Sequence, residues 1–399
     1  MPRAQSILCI SSYEKGQEFL RTCKHLGWQV LLLTVEKLRE ADWPRDSVDE
    51  FFFMPEELPL EHLINTVTYL ARAHHIDRIV ALDEFDMENA SALREHMRVP
   101  GMGLTTVRYF RDKLAMRARA QELGIRVPEF TGVLNYEDLS EFMARVQPPW
   151  LLKPRSQASG IGMKKIQSPD QLSHWLDQLG DKQSFYLLEQ FIPGSVYHVD
   201  SVVSEREVVF AEPHAYGAPP LDVSHQGGVF TTRTLPRDAA ETKQLLDINR
   251  GVIEGLGYLR GVTHAEFLKS HADGKFYFIE IAARVGGAYI SNVIEAATGI
   301  NLWREWARLE VGGGKQPYQL PAARRDYAGV ILSLARQEHP DTSAYNDPEI
   351  VYRVSKYHHA GFVLRSSSPE RVQQLLDSYS ARFAQDFLAT QPVPEKPTA

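Results

Sequence analysis

Two glutamates, Glu266 and Glu280, lie at equal sequence distance from Asp273, the centre of the turn signal Ala272-Asp273-Gly274. The flanking segments, Val262 to Lys269 and Lys275 to Ala283, read as strands, so the turn predicts a β-hairpin. In that register the two glutamates face each other on one side of the hairpin, with Cβ atoms roughly 4.5–5.5 Å apart. Opposed carboxylates repel unless a cation lies between them. Mg²⁺, held by carboxylates and by the phosphates of a substrate, is the natural candidate. Arg284 is four residues beyond Glu280 and shares its face if the strand continues. Its guanidinium could take a phosphate or a carboxylate bidentately. Any one of these residues alone also fits a solvated hairpin edge with an Arg–Glu salt bridge; the three in register point to a site.

A second group of residues suits phosphate. The apolar strand Trp150-Leu151-Leu152 ends in Lys153-Pro154, and Arg155-Ser156-Gln157-Ala158-Ser159-Gly160-Ile161-Gly162 follows. Small residues and glycines let backbone N–H groups converge on phosphate oxygens. Lys164-Lys165 comes next. No GxxxxGK[ST] and no GxGxxG occurs, so the Walker loop and the dinucleotide fingerprint are absent. Lys113 sits on a predicted helix, where a lysine is ordinarily a solvated face. Leu187 to Gly194 reads as a strand entering a turn, against which an adenine could lie. Tyr216 to Pro220 and His225 to Gly228 form a long loop; His225 there could position or deprotonate an amine, or be solvated.

These groups need a scaffold. Over the first ~100 residues, apolar strands (Ser6 to Ile10, Trp28 to Leu33, Phe51 to Met54, Arg78 to Leu82) alternate with helices (Glu14 to Leu26, Leu60 to His74). Uninterrupted apolar strands predict a parallel sheet covered on both faces, with ligands beyond the strands' carboxyl ends. Asp83-Glu84 stands at one such end, lining a cleft or lying in a solvated loop. Pro100-Gly101-Met102-Gly103 reads as a boundary. A helix capped at Thr105 or Thr106 is expected to run to Leu123 and stop at Gly124. Tyr136 to Val146 is helical, Trp150 to about Asp200 is strands and turns, and Asp238 to Leu256 is helical. Gly312-Gly313-Gly314 marks a second boundary. Strands follow near Tyr327 to Leu334 and Gly361 to Leu364, then a helix opened by Ser368-Pro369-Glu370.

The chain has 399 residues, 43% hydrophobic and 24% charged, with a formal net charge of −7. That is ample for several cores, and it lacks the basic footprint of nucleic-acid or membrane-surface binding. No apolar run reaches the ~20 residues of a membrane span. Two cysteines, Cys9 and Cys23, both in apolar surroundings, suit a reducing compartment, so a cytoplasmic location is expected.

Taken in order, Asp112-Lys113, the Lys153 strand with its Gly/Ser loop, Leu188 to Gly194, His264-Ala265-Glu266-Phe267 and Ile279 to Gly287 resemble the ATP-grasp superfamily. Within it the chain looks like the carboxylate–amine ligases, L-amino-acid ligases included. The resemblance covers roughly residues 1–310. It implies an α/β parallel-sheet domain (1–104), then an α+β ATP-grasp fold (105–311) of two subdomains (105–185 and 186–311). A small α+β C-terminal part (312–390) and a disordered tail (391–399) complete the expectation.

The resemblance further implies ATP and Mg²⁺ (or Mn²⁺) as cofactors. Lys113 and Lys153 would hold phosphates under the loop carrying Ser156, Ser159, Gly160 and Gly162. Glu189 and the backbone to Ile192 would hold adenine. Glu266 and Glu280 would hold the metal, and Arg284 with Lys153 would stabilise the transferred phosphoryl group. His225, Arg284, Gly286 and Gly287 are the candidate substrate contacts. The partners would be a small carboxylate and an amine, with no nucleic acid and no membrane, in a possible homodimer. Two positions depart from the pattern: Ala282 stands where many relatives have an asparagine metal ligand, and Val196 where a ribose-binding glutamate is common. Tyr197 or His198 could hold ribose instead. An acyl-phosphate-forming enzyme with a non-amine acceptor, or a nucleotide-binding regulator, would share most of these residues.

Overall fold

The structure is a computed structural model describing residues 3–390 apart from 58, 159, 222, 224–226, 315 and 316. Ser159, His225 and the proline-rich tail therefore lie outside the described residues.

Strands β1 (Ser6–Ser11), β2 (Gln29–Val35), β3 (Glu50–Met54) and β4 (Arg78–Ala81) form a parallel sheet in the order β3-β2-β1-β4. β1 is buried along its whole length. Its alternate residues feed two cores, as the period of two requires. Leu8 and Ile10 pack with Leu63, Val67 and Leu93 of helices Leu60–Leu70 and Met87–Met97. Ile7 and Cys9 pack with Phe19, Leu20 and Cys23 of helix Gln17–His25. Both cysteines are buried free thiols.

The expected helix from Thr105 to Leu123 is broken in two. Leu104–Val107 is followed by a tight turn at Arg108–Phe110, and a new helix, Lys113–Glu122, starts after Asp112. Asp112 is the true cap: its carboxylate accepts from the backbone N–H of Leu114 at 3.0 Å and Ala115 at 3.4 Å. Such a cap stabilises a helix by about 1 kcal/mol, and here it places Lys113 at the first helical position.

A four-stranded antiparallel sheet follows in the order β5 (Phe130–Gly132), β8 (Tyr186–Gln190), β6 (Trp150–Pro154), β7 (Lys164–Ile166). Helix Pro169–Leu179 interrupts the segment expected to hold only strands and turns. Ser168 caps it and Pro169 opens it, the same signature as Ser368-Pro369.

The largest sheet has the order β13-β12-β9-β10-β11-β14-β16-β15. Its strands are β9 (Gly194–Ser204), β10 (Glu207–Tyr216), β11 (Phe230–Thr234), β12 (Gly261–Ser270), β13 (Phe276–Ala282), β14 (Tyr327–Leu334), β15 (Ile350–Arg353) and β16 (His359–Ser366). The C-terminal strands thus join the hairpin's own sheet. Helix Pro369–Asp386 packs over them through Leu376, Tyr379 and Phe383. Among the described residues, no helix is long and apolar enough to cross a membrane.

Candidate active site

β12 and β13 pair antiparallel, with Glu266 directly opposite Glu280. Towards the turn the register slips by one: Phe267 faces Phe278 and Leu268 faces Tyr277, leaving Ile279 as an extra residue on β13. The hairpin therefore closes slightly before Asp273, and the bulge restores the glutamates to register. A bulge re-aims the chain beside it. Here the Ile279 carbonyl turns to accept a hydrogen bond from Arg117.

Three cations line the same cavity as this pair. Lys113 Nζ lies 3.0 Å from a Glu280 oxygen and donates to the Gln157 carbonyl at 2.6 Å. Lys153, at the end of β6, pairs with Glu189. On its other oxygen Glu189 accepts from Arg117 Nε at 2.7 Å, and both Arg117 and Glu189 are buried. Burial would push the Glu189 carboxyl up, but Arg117 and Lys153 outweigh it and hold it below its usual value. Arg284 donates through Nη2 (2.6 Å) and Nε (3.0 Å) to one oxygen of Glu84, while Arg111 donates to the other at 3.1 Å. Against the effect of burial, Arg284 and then Arg111 bring the Glu84 carboxyl down to about 2. The acidic pair beyond β4 is neither a solvated loop nor part of the cavity wall: both residues are buried, Glu84 holding Arg284 and Asp83 pairing with Lys15.

Beneath Glu266 lies a buried histidine cluster. Tyr216 Oη donates to Glu266 at 2.8 Å, and His264 Nε2 is 3.6 Å from the same oxygen. The other nitrogen of His264 bonds Asp200 at 2.9 Å, and Asp200's second oxygen bonds His198 at 2.6 Å. Burial would lower the His264 pKa, but the charge and hydrogen bond of Asp200 win and raise it to about 9. A raised histidine pKa adds stability that is complete below ~6.5 and disappears as pH rises through the folded value. Urea unfolding midpoints should therefore fall between about pH 6.5 and about 9. In His264→Asn that slope should flatten; an unchanged slope would refute the assignment.

These groups surround one cavity of about 720 Å³. Lys113, Lys153, Glu189, Glu266, Glu280 and Arg284 all line it, with Gly160, Ile192 and Gly287. Three expected contacts do not reach its wall. Ser156 is turned so that its carbonyl accepts from Arg111 at 2.7 Å. Gly162 packs on Pro154, where a Cβ would come within 2.9 Å of the ring. Gly286 packs on the histidine cluster, where a Cβ would lie 2.9 Å from Asp200 and 3.0 Å from His264. Its lack of a side chain serves that packing. The ribose alternatives are corrected too: His198 is buried on Asp200 and Thr232, and Tyr197 packs edge-on against Phe276, away from the cavity. Sequence reasoning missed Arg117, Arg111 and Asp200. For Arg117 one signal existed, its spacing of four from Lys113 on the same helix face.

A model of the ATP-grasp domain matches residues 118–289. The L-arginine-specific L-amino acid ligase of Bacillus subtilis is 25% identical over 271 residues, 66% of this chain and 64% of that protein. The D-alanine–D-alanine ligase of Pseudomonas fluorescens is 28% identical over 191 residues, 47% of this chain and 57% of that protein. The chain thus spans less than two thirds of the length of these curated relatives. The crystal structure of the L-amino acid ligase from Bacillus licheniformis shares the fold, with a TM-score of 0.73 at 18% identity over 98% of this chain and 100% of that one. Residues 118–289 thus match the ATP-grasp domain, and along its length the chain shares the fold of an L-amino acid ligase.

Proposed function

We propose that the chain is an ATP-dependent ligase that activates a small carboxylic acid, an amino acid in the first instance, as an acyl phosphate and joins it to an amine. The observation that carries this reading is the opposed pair Glu266 and Glu280 on the wall of a cavity that also holds Lys113, Lys153 and Arg284. Two facing carboxylates with three cations beside them suit a polyphosphate and its divalent metal. Glu266 and Glu280 would hold Mg²⁺, which supplies neutralisation of phosphate charge when bound. Ala282 offers no ligand atom, so the metal set on β13 rests on Glu280. Gln190, Phe191 and Ile192 line the apolar end of the cavity, suited to adenine.

In the first step a carboxylate oxygen attacks the γ-phosphorus, and the bond to the bridging oxygen of ADP breaks. In the second, the amine nitrogen attacks the acyl carbon and phosphate leaves with that carboxylate oxygen. The nitrogen loses a proton as the amide forms. Lys113 and Lys153 bind and orient the phosphates. Arg284, fixed by Glu84, meets the charge on the transferring group without reorganising. The loop at 156–162 would exclude water from the acyl phosphate.

Release of ADP and phosphate from Mg·ATP, against pooled amino acids and small carboxylic acids, tests the proposal when product masses are read in parallel. Turnover requiring two substrates, with a product lighter than their sum by one water, is expected. ATP binding without turnover across the pools would contradict it.

A further inference from the structure

A second cavity, of about 250 Å³, lies between the parallel sheet and the largest sheet, apart from the candidate active site. Among the described residues, four arginines line it, Arg78, Arg94, Arg206 and Arg260, with Glu310 as the single acidic one. Arg78 and Arg94 are held through backbone carbonyls: Arg78 by Glu310 (3.1 Å) and Asp77 (2.9 Å), Arg94 by Ile79 (2.8 Å) and Met102 (3.1 Å). Among the described residues, neither these two nor Arg206 has a carboxylate within ion-pairing distance. Arg260 pairs with Glu205 at 2.7 Å, yet its Nε is buried without a partner. Glu310 is itself engaged, accepting from Trp306 Nε1 at 3.2 Å.

Guanidinium groups brought together in this way repel one another. Arg78 and Arg260 flank a single glycine: a Cβ on Gly313 would lie 2.3 Å from one and 3.7 Å from the other. Repulsion of this kind in a partly desolvated site calls for an anion. The Pro100–Gly103 segment closes another side, and Gly101 packs so tightly on Arg94 that a Cβ would sit 2.7 Å from its Cδ.

A separate observation comes from the turn between β9 and β10. Glu205 and Arg206 both have positive φ, 49° and 74°. Turns of that kind ordinarily use Asn-Gly or Gly-Gly, and each non-glycine residue so held costs on the order of 1–3 kcal/mol. This turn keeps two long charged side chains instead, one lining the cavity and the other holding Arg260.

We propose that this cavity binds a small oxyanion, a phosphate or a carboxylate, through Arg78, Arg94, Arg206 and Arg260, and so ties the parallel sheet to the largest sheet. The volume admits a group of orthophosphate or short-chain carboxylate size. Met87, Met102 and Trp306 supply apolar walls for the remainder of such a ligand.

Isothermal titration of the full chain with inorganic phosphate tests this, comparing wild type, Arg206→Gln/Arg260→Gln and Lys113→Gln. Lys113→Gln reports phosphate taken by the larger cavity. The double variant should bind at least tenfold more weakly, with Lys113→Gln unchanged at this site. Arg206→Gln alone, at an exposed turn position, should still weaken binding and controls for any folding defect in the double variant. Acetate that competes with phosphate would identify a carboxylate occupant, and acetate that does not would identify a phosphate. Unaltered phosphate affinity in the double variant, or loss confined to Lys113→Gln, would overturn the proposal.

Discussion

Substituting Glu280 by glutamine is expected to remove turnover while leaving the fold standing. Glutamine keeps the shape but forfeits the charge that opposes Glu266 and that a divalent cation requires. Removing one preorganised electrostatic partner of a phosphoryl transfer costs about 10²–10³-fold in kcat, and a lost metal ligand should cost at least that. Stability should change little. The partner of Glu280 is Lys113, the carboxylate is 31% exposed, and Lys113 keeps the Gln157 carbonyl. Exposed ion pairs contribute about 0–1 kcal/mol. Steady-state ADP release beside a urea titration reads both quantities. Near-normal turnover would sink the metal assignment, and a collapsed fold would show that Glu280 is structural.

The second large effect runs the other way. Replacing Arg117 by methionine should destabilise the protein by about 3–5 kcal/mol, the range seen when one partner of a buried ion pair is removed. Arg117 and Glu189 are both buried, and Glu189 would be left with Lys153 alone. The Ile279 carbonyl at the bulge would lose its donor as well. Adding Glu189→Gln to Arg117→Met should recover part of the loss, because the uncompensated charge goes with it. A loss below about 1 kcal/mol for the single variant, against the range for exposed pairs, would show that water or a neighbour replaces Arg117 freely. The contrast with Glu280 would separate the proposed roles, chemistry for Glu280 and, for Arg117, holding Glu189 and the bulge in position.

Local signals were legible where one segment contains all the partners. The hairpin, its acidic pair and Arg284 fall within a single stretch, and period-two geometry alone brings the glutamates together. Even there, success needed a compensation. The turn closes early and Ile279 bulges, two shifts that cancel at Glu266 and Glu280 but not at Phe267. Helix Pro169–Leu179 shows a signal overlooked, since Ser168-Pro169-Asp170 has the same capping form that marked the C-terminal helix. Other features were not legible at all. Glu84 meets Arg284 across 200 residues and Arg117 meets Glu189 across 72, pairings that depend on how sheets dock. Lys113, singled out only by the resemblance, read locally as an ordinary solvated lysine because its position depends on the cap at Asp112 and on β13. His198 read as available for ribose because nothing local announces that Asp200 and Thr232 enclose it.

The central claim is that a carboxylate is activated by phosphoryl transfer on the Glu266–Glu280–Arg284 face. It is tested most directly by following oxygen. With a carboxylic acid labelled with ¹⁸O in both carboxyl oxygens, Mg·ATP and the amine, the released phosphate should carry one labelled oxygen per amide formed. Unlabelled phosphate accompanying amide formation, or label recovered in AMP, would mean that no acyl phosphate forms and would contradict the account.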